Sequence, residues 1–265
     1  MKKGDKHMEN ILYEQQGFIG KITINRPKAM NALNSQTLQE LDQTLDAIDV
    51  NSVRCVIVTG AGDKSFVAGA DIAQMSTATR KEGEDYSAMG NAVFRKLEQL
   101  PMPTIAAING FALGGGCEIA MSCDIRMCSD NAIFAQPEVG LGITPGFGGT
   151  QRLPRLINIG KAKEMIYTTN VIKAEEALKL GLVTYVYKPE ELMPAAMKLA
   201  EKIAKMAPIA VRASKKAINE GLQVDIDKAV AIEVKNFAVC IETEDQRGSM
   251  KAFVEKTKFE GFKNK

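Results

Sequence analysis

The stretch Pro103-Thr104-Ile105-Ala106-Ala107-Ile108-Asn109-Gly110-Phe111-Ala112-Leu113-Gly114-Gly115-Gly116-Cys117-Glu118 decides the reading of the fold. Residues 103–109 are short, apolar and partly β-branched, which predicts a strand buried on both faces. The loop 110–113 and the run Gly114-Gly115-Gly116 then lead into a helix expected over 115–122. A strand-to-helix junction of this kind turns main-chain N–H groups into open space.

The same alternation extends outward. Upstream, Met89, Val93, Phe94 and Leu97 give 86–100 helical spacing, 60–71 is a glycine-punctuated loop, and 53–58 reads as another buried strand. Before these, Ser35 is read as the N-cap of a helix running to Val50 with Leu38, Leu41, Leu45 and Ile48 on one face, and 11–25 reads as short strands broken by Gly17 and Gly20. Downstream come short strands near 124–128 and 132–135, then a loop over 136–150 dense in glycine and proline, a length of ordered loop that points to function. A helix over 174–180 with Gly181 at C′, a strand over 182–187, a helix over 189–206 and only helices from 208 onward complete the reading. The expected architecture is α/β, divided into a polar tail (1–10), a core (11–200) and a helical C-terminal region (201–265).

Composition narrows the chemistry. Lys+Arg at 34 against Asp+Glu at 32 leaves a formal charge of +2, too small a global field to recruit nucleic acid or an anionic membrane. No apolar run has bilayer-spanning length, and Cys55, Cys117, Cys123, Cys128 and Cys240 are scattered without C-x-x-C spacing, so reduced thiols in a cytoplasmic protein are expected. The one histidine, His7, lies in the tail; a Ser-His-Asp triad or a His-rich metal site is thereby set aside, and no metal is expected. Acid–base work then falls to carboxylates, lysines, tyrosines or water.

Two acids stand beside the glycine-rich loops. Glu118, one turn into an otherwise apolar helix, is at risk of burial, which is costly for a carboxylate without a purpose. Glu138 opens the long loop in Gln136-Pro137-Glu138. Each taken alone reads as a capping or surface acid; together with two loops of potential N–H donors they can hold and activate a water. Gly60-Ala61-Gly62-Asp63-Lys64-Ser65 lacks the spacing of a nucleotide P-loop, and Gly114–Gly116 lacks the dinucleotide pattern. Cys117, without a histidine or cationic neighbour in view, reads as a packed small side chain.

Four stretches resemble the enoyl-CoA hydratase (crotonase) family, in that family's order: Ile24-Asn25-Arg26-Pro27-Lys28-Ala29-Met30-Asn31-Ala32-Leu33, Phe66-Val67-Ala68-Gly69-Ala70-Asp71, Asn109 through Glu118, and Gln136-Pro137-Glu138 through Pro145-Gly146-Phe147-Gly148-Gly149-Thr150-Gln151-Arg152. The resemblance continues into Ala252-Phe253-Val254-Glu255-Lys256 and is nearest to bacterial short-chain crotonases. It implies a spiral of ββα units with a C-terminal helical trimerisation region, a homohexamer built from two trimers, an acyl-CoA thioester as substrate, and no cofactor. It assigns the oxyanion-hole N–H groups to Ala70 and Gly115, water activation to Glu118, proton exchange at the α-carbon to Glu138, and orientation of the water to Gly146. CoA contacts are implied for Lys28, Ala29, Ala68, Asp71, Ile72, Phe253 and Lys256, whereas Ala73 stands where some relatives place a CoA-binding lysine.

The activity so implied is reversible hydration of a short trans-2-enoyl-CoA such as crotonyl-CoA, a hydro-lyase reaction. Another acyl-CoA isomerase or hydrolase of the same superfamily is the nearest alternative, which the paired acids argue against. An RNA-associated binding protein of this fold calls for a basic, aromatic-bearing surface that a charge of +2 and 6% aromatic residues do not favour.

Overall fold

The computed structural model describes residues 8–265, so the first seven positions of the expected tail, His7 among them, lie outside the described residues. The described residues open with the antiparallel pair β1 (Ile11–Gln16) and β2 (Ile19–Ile24), then α1 (Ser35–Ala47). β3 (Cys55–Gly60), β4 (Ser65–Val67), α2 (Ile72–Met75) and α3 (Arg80–Glu98) follow, then β5 (Thr104–Ile108), β6 (Phe111–Leu113) and α4 (Gly115–Met121). β7 (Ile125–Ser129), β8 (Ile133–Ala135), a 3-10 turn (Glu138–Leu141), α5 (Gly149–Leu156), α6 (Ile159–Thr168), β9 (Ile172–Lys173), α7 (Ala174–Lys179) and β10 (Tyr185–Tyr187) lead to four final helices. These are α8 (Pro189–Ala204), α9 (Pro208–Gly221), α10 (Ile226–Ile241) and α11 (Glu244–Glu255).

Two sheets result, ordered β1-β2-β3-β5-β7-β10 and β4-β6-β8-β9. In each repeat the first strand joins the larger sheet and the second joins the smaller: β3, β5 and β7 are parallel neighbours in one, β4, β6 and β8 in the other. The chain therefore advances as a spiral of ββα turns, as the resemblance implies. The inner strands β3 and β5 of the larger sheet are buried along their whole length because both faces are covered, whereas the edge strand β1 is mostly exposed. Val56 and Val58 of β3 face the main core with Leu38, Leu41 and Phe94, whereas Cys55 and Ile57 face Leu192, Ala196 and Ala200 of α8.

Several element boundaries differ from the sequence expectation, each for a local reason. Gly20 lies inside β2, where a Cβ would stand 2.9 Å from the Tyr13 hydroxyl; it is covered by an aromatic neighbour and breaks no strand. Asn34, not Ser35, caps α1, its Oδ1 accepting the Thr37 N–H at 2.8 Å. α3 begins six residues before Tyr86, because Thr79 and Glu82 form a capping box ahead of two polar, exposed turns that carry no apolar period. α5 starts inside the expected 136–150 loop, and α8 ends at Ala204, two residues before the expected 206.

Polar staples tie the C-terminal helices to the sheet. Lys215 of α9 is buried, and its Nζ reaches Asp124 Oδ2 at 2.7 Å and donates to the Met102 carbonyl at 3.0 Å. Arg54, at the start of β3, donates to the carbonyls of Ala204 and Phe262, each at 2.9 Å. Asp245 in α11 accepts the N–H groups of Lys263 and Asn264 at 2.6 and 2.8 Å, holding the final segment in place.

Candidate active site

The first loop creates one free donor. Asn31 Oδ1 accepts the Arg26 N–H, and its Nδ2 donates to the carbonyls of Ala61 and Ser65, so the 26–33 loop is knitted to the entrance of β4. Leu33 then forms a parallel bridge about Ala70: its N–H donates to Gly69 O and its carbonyl accepts from Asp71 N, both at 2.8 Å. In a parallel bridge the flanking residues make both bonds, so the central residue's own N–H faces the other way. The Ala70 N–H donates to no protein acceptor among the described residues.

The second donor comes from the glycine run. Gly114 adopts φ +49°, ψ −117°, a conformation that L side chains rarely adopt, and its N–H donates to Ala135 O at 2.9 Å. α4 starts immediately after, leaving Gly115 as a first-turn N–H without an intrahelical acceptor. Gly116 packs so closely on β4 that a Cβ would stand 1.8 Å from the Val67 carbonyl oxygen, which fixes the helix start against the end of the strand that leads to Ala70. A Cβ on Gly115 would lie 3.4 Å from the Ala70 nitrogen; the two free N–H groups share one small space.

Glu118 is 1% exposed, and its Oε1 accepts the N–H groups of Phe147 and Gly149 at 2.9 and 2.7 Å. Burial raises its carboxyl to about 7, the charge of Glu138 adds to the rise, and the two N–H donors with Arg152 oppose it. Burial likewise lifts Glu138 to about 7. Its Oε2 is buried without a protein partner among the described residues, and its Oε1 is 2.3 Å from where a Gly114 Cβ would stand, so only glycine leaves room for this carboxylate. Cys117 is fully buried and burial pushes its thiol up to about 12, in keeping with a packed side chain.

These groups face one cavity of about 650 Å³, whose walls include Ala68, Ala70, Gly115, Glu118, Glu138 and Gly146. Ile72, Met75, Tyr86, Leu141, Ile143 and Phe147 supply apolar surface to the same cavity. The remaining sequence candidates stand elsewhere. Asp71 is turned to Arg26, 3.2 Å away, and is not a cavity wall. Lys28 and Ala29 sit on an exposed 3-10 turn and are not cavity walls; next to them, Met30 O accepts the Ala68 N–H at 3.0 Å. Phe253 is 86% exposed at the end of α11, and Lys256 ends that helix in the left-handed region, both away from the cavity walls. Among the described residues, no group of three His, Cys, Asp or Glu side chains is placed to hold a metal ion.

Residues 14–265 match the family model described as enoyl-CoA hydratase/isomerase. The chain belongs to the enoyl-CoA hydratase/isomerase family. It is 58% identical over 259 residues to the short-chain-enoyl-CoA hydratase of Clostridium acetobutylicum, an alignment covering 97% of this chain and 99% of that one. With the crotonyl-CoA hydratase of Syntrophomonas wolfei it shares 54% identity over 251 residues, covering 94% and 96% of the two chains. The crystal structure of enoyl-CoA hydratase from Bacillus anthracis superposes with a TM-score of 0.92 at 41% identity, over 97% of this chain and all of that one. The spiral of ββα turns is thus the fold of this family.

Several residues that shape the site carry no role in the sequence reading. Gly149 and the Phe147 main chain bond Glu118, and Ser87 and Asn91 of α3 hold the Gly146 carbonyl. The glycine density of 146–149 marks the loop in sequence, but which carboxylate its N–H groups meet is set by packing: the Phe147 ring rests on Gly90, where a Cβ would be 2.3 Å away, and meets Tyr86 and Phe94 edge-on.

Proposed function

We propose that this protein is a short-chain enoyl-CoA hydratase, a hydro-lyase that adds water across the double bond of crotonyl-CoA and related thioesters. One observation carries the reading: two free main-chain donors and two carboxyls raised toward neutrality border the same cavity. The names of the relatives at 58% and 54% identity support the short-chain assignment.

In the hydration direction, ionised Glu118 takes a proton from water as the water oxygen bonds to the β-carbon. The double-bond electrons move toward the thioester oxygen, where the Ala70 and Gly115 N–H groups stabilise the developing negative charge; one such donor is worth about 3–4 kcal/mol. Protonated Glu138 then delivers its proton to the α-carbon. A proton returns from Glu118 to Glu138 through solvent, restoring both. Gly146 borders the position of the water, and Ala68 and Ile72 line the CoA side of the cavity. The chain's own groups provide every acid, base and donor in this scheme, so no cofactor is proposed.

Assembly into a hexamer of two trimers, in the cytoplasm, completes the proposal. Ile226, Val230, Val234, Phe237 and Ile241 form an exposed apolar stripe along α10 at three- and four-residue spacing, a surface of the kind that another copy covers. The five cysteines are free, as a reducing compartment keeps them.

The test is hydration of crotonyl-CoA, followed by loss of the conjugated thioester absorbance. Glu118→Gln and Glu138→Gln should each lower kcat by about 10²–10⁴-fold, the range for acid–base groups. If both variants turned over within a small factor of the parent, the assignment of these carboxyls would be wrong.

A further inference from the structure

The carbonyl oxygen of Gly146 accepts two hydrogen bonds from one face of α3: Ser87 Oγ at 2.6 Å and Asn91 Nδ2 at 2.7 Å. Ser87 and Asn91 are four residues apart and so neighbours on the helix surface. Asn91 Nδ2 also donates to the Ser87 carbonyl at 2.9 Å, which fixes the amide's orientation. The Gly146 carbonyl and the Phe147 N–H belong to one planar trans peptide unit, so they point in opposite directions. Holding that oxygen on α3 aims the Phe147 N–H away from it, and it is this N–H that donates to Glu118 Oε1 at 2.9 Å. The following carbonyl is pinned as well, since Arg152 Nη1 donates to Phe147 O at 2.9 Å while its other terminal nitrogen reaches Glu98 of α3 at 3.3 Å.

We infer that Asn91, assisted by Ser87, is a positioning residue for Glu118: α3 grips one end of the 146–147 peptide so that the other end holds the water-activating carboxylate. Asn91 is not a wall of the cavity and touches no reacting atom. Its action runs through a single peptide plane. The titratable groups facing Glu118 are Glu138 on the 3-10 turn, Arg152 on α5 and, adjacent on α4, Cys117; Asn91 hydrogen-bonds none of the three. An N–H aimed at a carboxylate favours its ionised form, so a freed peptide makes Glu118 harder to ionise.

The inference rests on the hydratase reading above, and its test separates the two. Asn91→Leu keeps the side-chain shape and removes both donors. With crotonyl-CoA as substrate, kcat should fall by about 10- to 100-fold, as for a misplaced catalytic group, with KM little changed. The acid limb of the kcat–pH profile should move to higher pH. Ser87→Ala, which removes one of the two hydrogen bonds to Gly146, should move the limb the same way by less, and serves if the Asn91→Leu protein does not fold. An unchanged acid limb in a folded variant, whether kcat is preserved or lowered, would overturn the positioning role. Absence of crotonyl-CoA hydration in the parent protein would instead sink the hydratase reading itself.

Discussion

Glu118 illustrates how burial and function are set against each other at one residue. Burial raises its carboxyl to about 7 from an ordinary 4.5, so the folded chain holds that proton more tightly than the unfolded chain does. The group therefore favours folding below about pH 4.5 and loses that contribution as pH rises through about 7. Glu118→Gln, which keeps an acceptor for Phe147 and Gly149, should melt above the parent at about pH 8.5, with the gap narrowing by about pH 5; melting curves at the two pH values check this. Catalysis has its own pH signature. Hydration needs Glu118 ionised and Glu138 protonated, and both carboxyls stand near 7, so kcat should trace a narrow bell centred near neutrality whose limbs belong to the pair. Gly114→Ala places a methyl 2.3 Å from Glu138 Oε1 at a positive φ and should lower kcat by about 10²-fold, the scale of a displaced acid–base group. Glu118 and Glu138 stand out in sequence because each lies beside a glycine-rich loop, whereas Ala70 and Gly115 are named only through the family resemblance. Asn91 and Ser87 are marked by neither: on an amphipathic helix they read as polar surface, and only packing brings them to Gly146.

Among the elements, α3 and α9 do more than cover the sheets. α3 seats Phe147 on Gly90 and bonds Gly146, so its position sets that of the loop that donates to Glu118. Gly90→Val forces the ring out and should cost both activity and about 1–3 kcal/mol of stability, the range for overpacking, measurable by urea unfolding. α9 is fastened through the largely buried Lys215–Asp124 pair, in which Asp124 also accepts the Thr104 N–H at 2.7 Å. Lys215→Ala leaves that carboxylate without its cation and should destabilise the chain by about 3–5 kcal/mol. The alternation of strand and helix was visible because buried strands of the larger sheet are apolar on both faces. The start of α3 and the helices within 149–168 were hidden, since polar first turns and a glycine-opened helix carry no clear apolar period.

Over the whole molecule, the spiral joins segments far apart in sequence: the 26–33 loop turns Ala70, the glycine run supplies Gly115, and the 136–150 loop brings Glu138 while aiming two N–H groups at Glu118. The exposed stripe of α10 lies outside this arrangement, so Val234→Glu with Phe237→Glu should reduce the assembled mass seen by sedimentation without disturbing the fold of the single chain. Lys28, Phe253 and Lys256 match the family by motif, and the cavity of the single chain does not include them. The most direct measurement is a crystal structure of the Glu118→Gln protein bound to crotonyl-CoA. The thioester oxygen should lie within hydrogen-bonding distance, about 3 Å, of both the Ala70 and Gly115 nitrogens, with the double bond between positions 118 and 138. A thioester oxygen bonded to neither nitrogen, or an acyl group outside the space between the two carboxyl positions, would contradict the account.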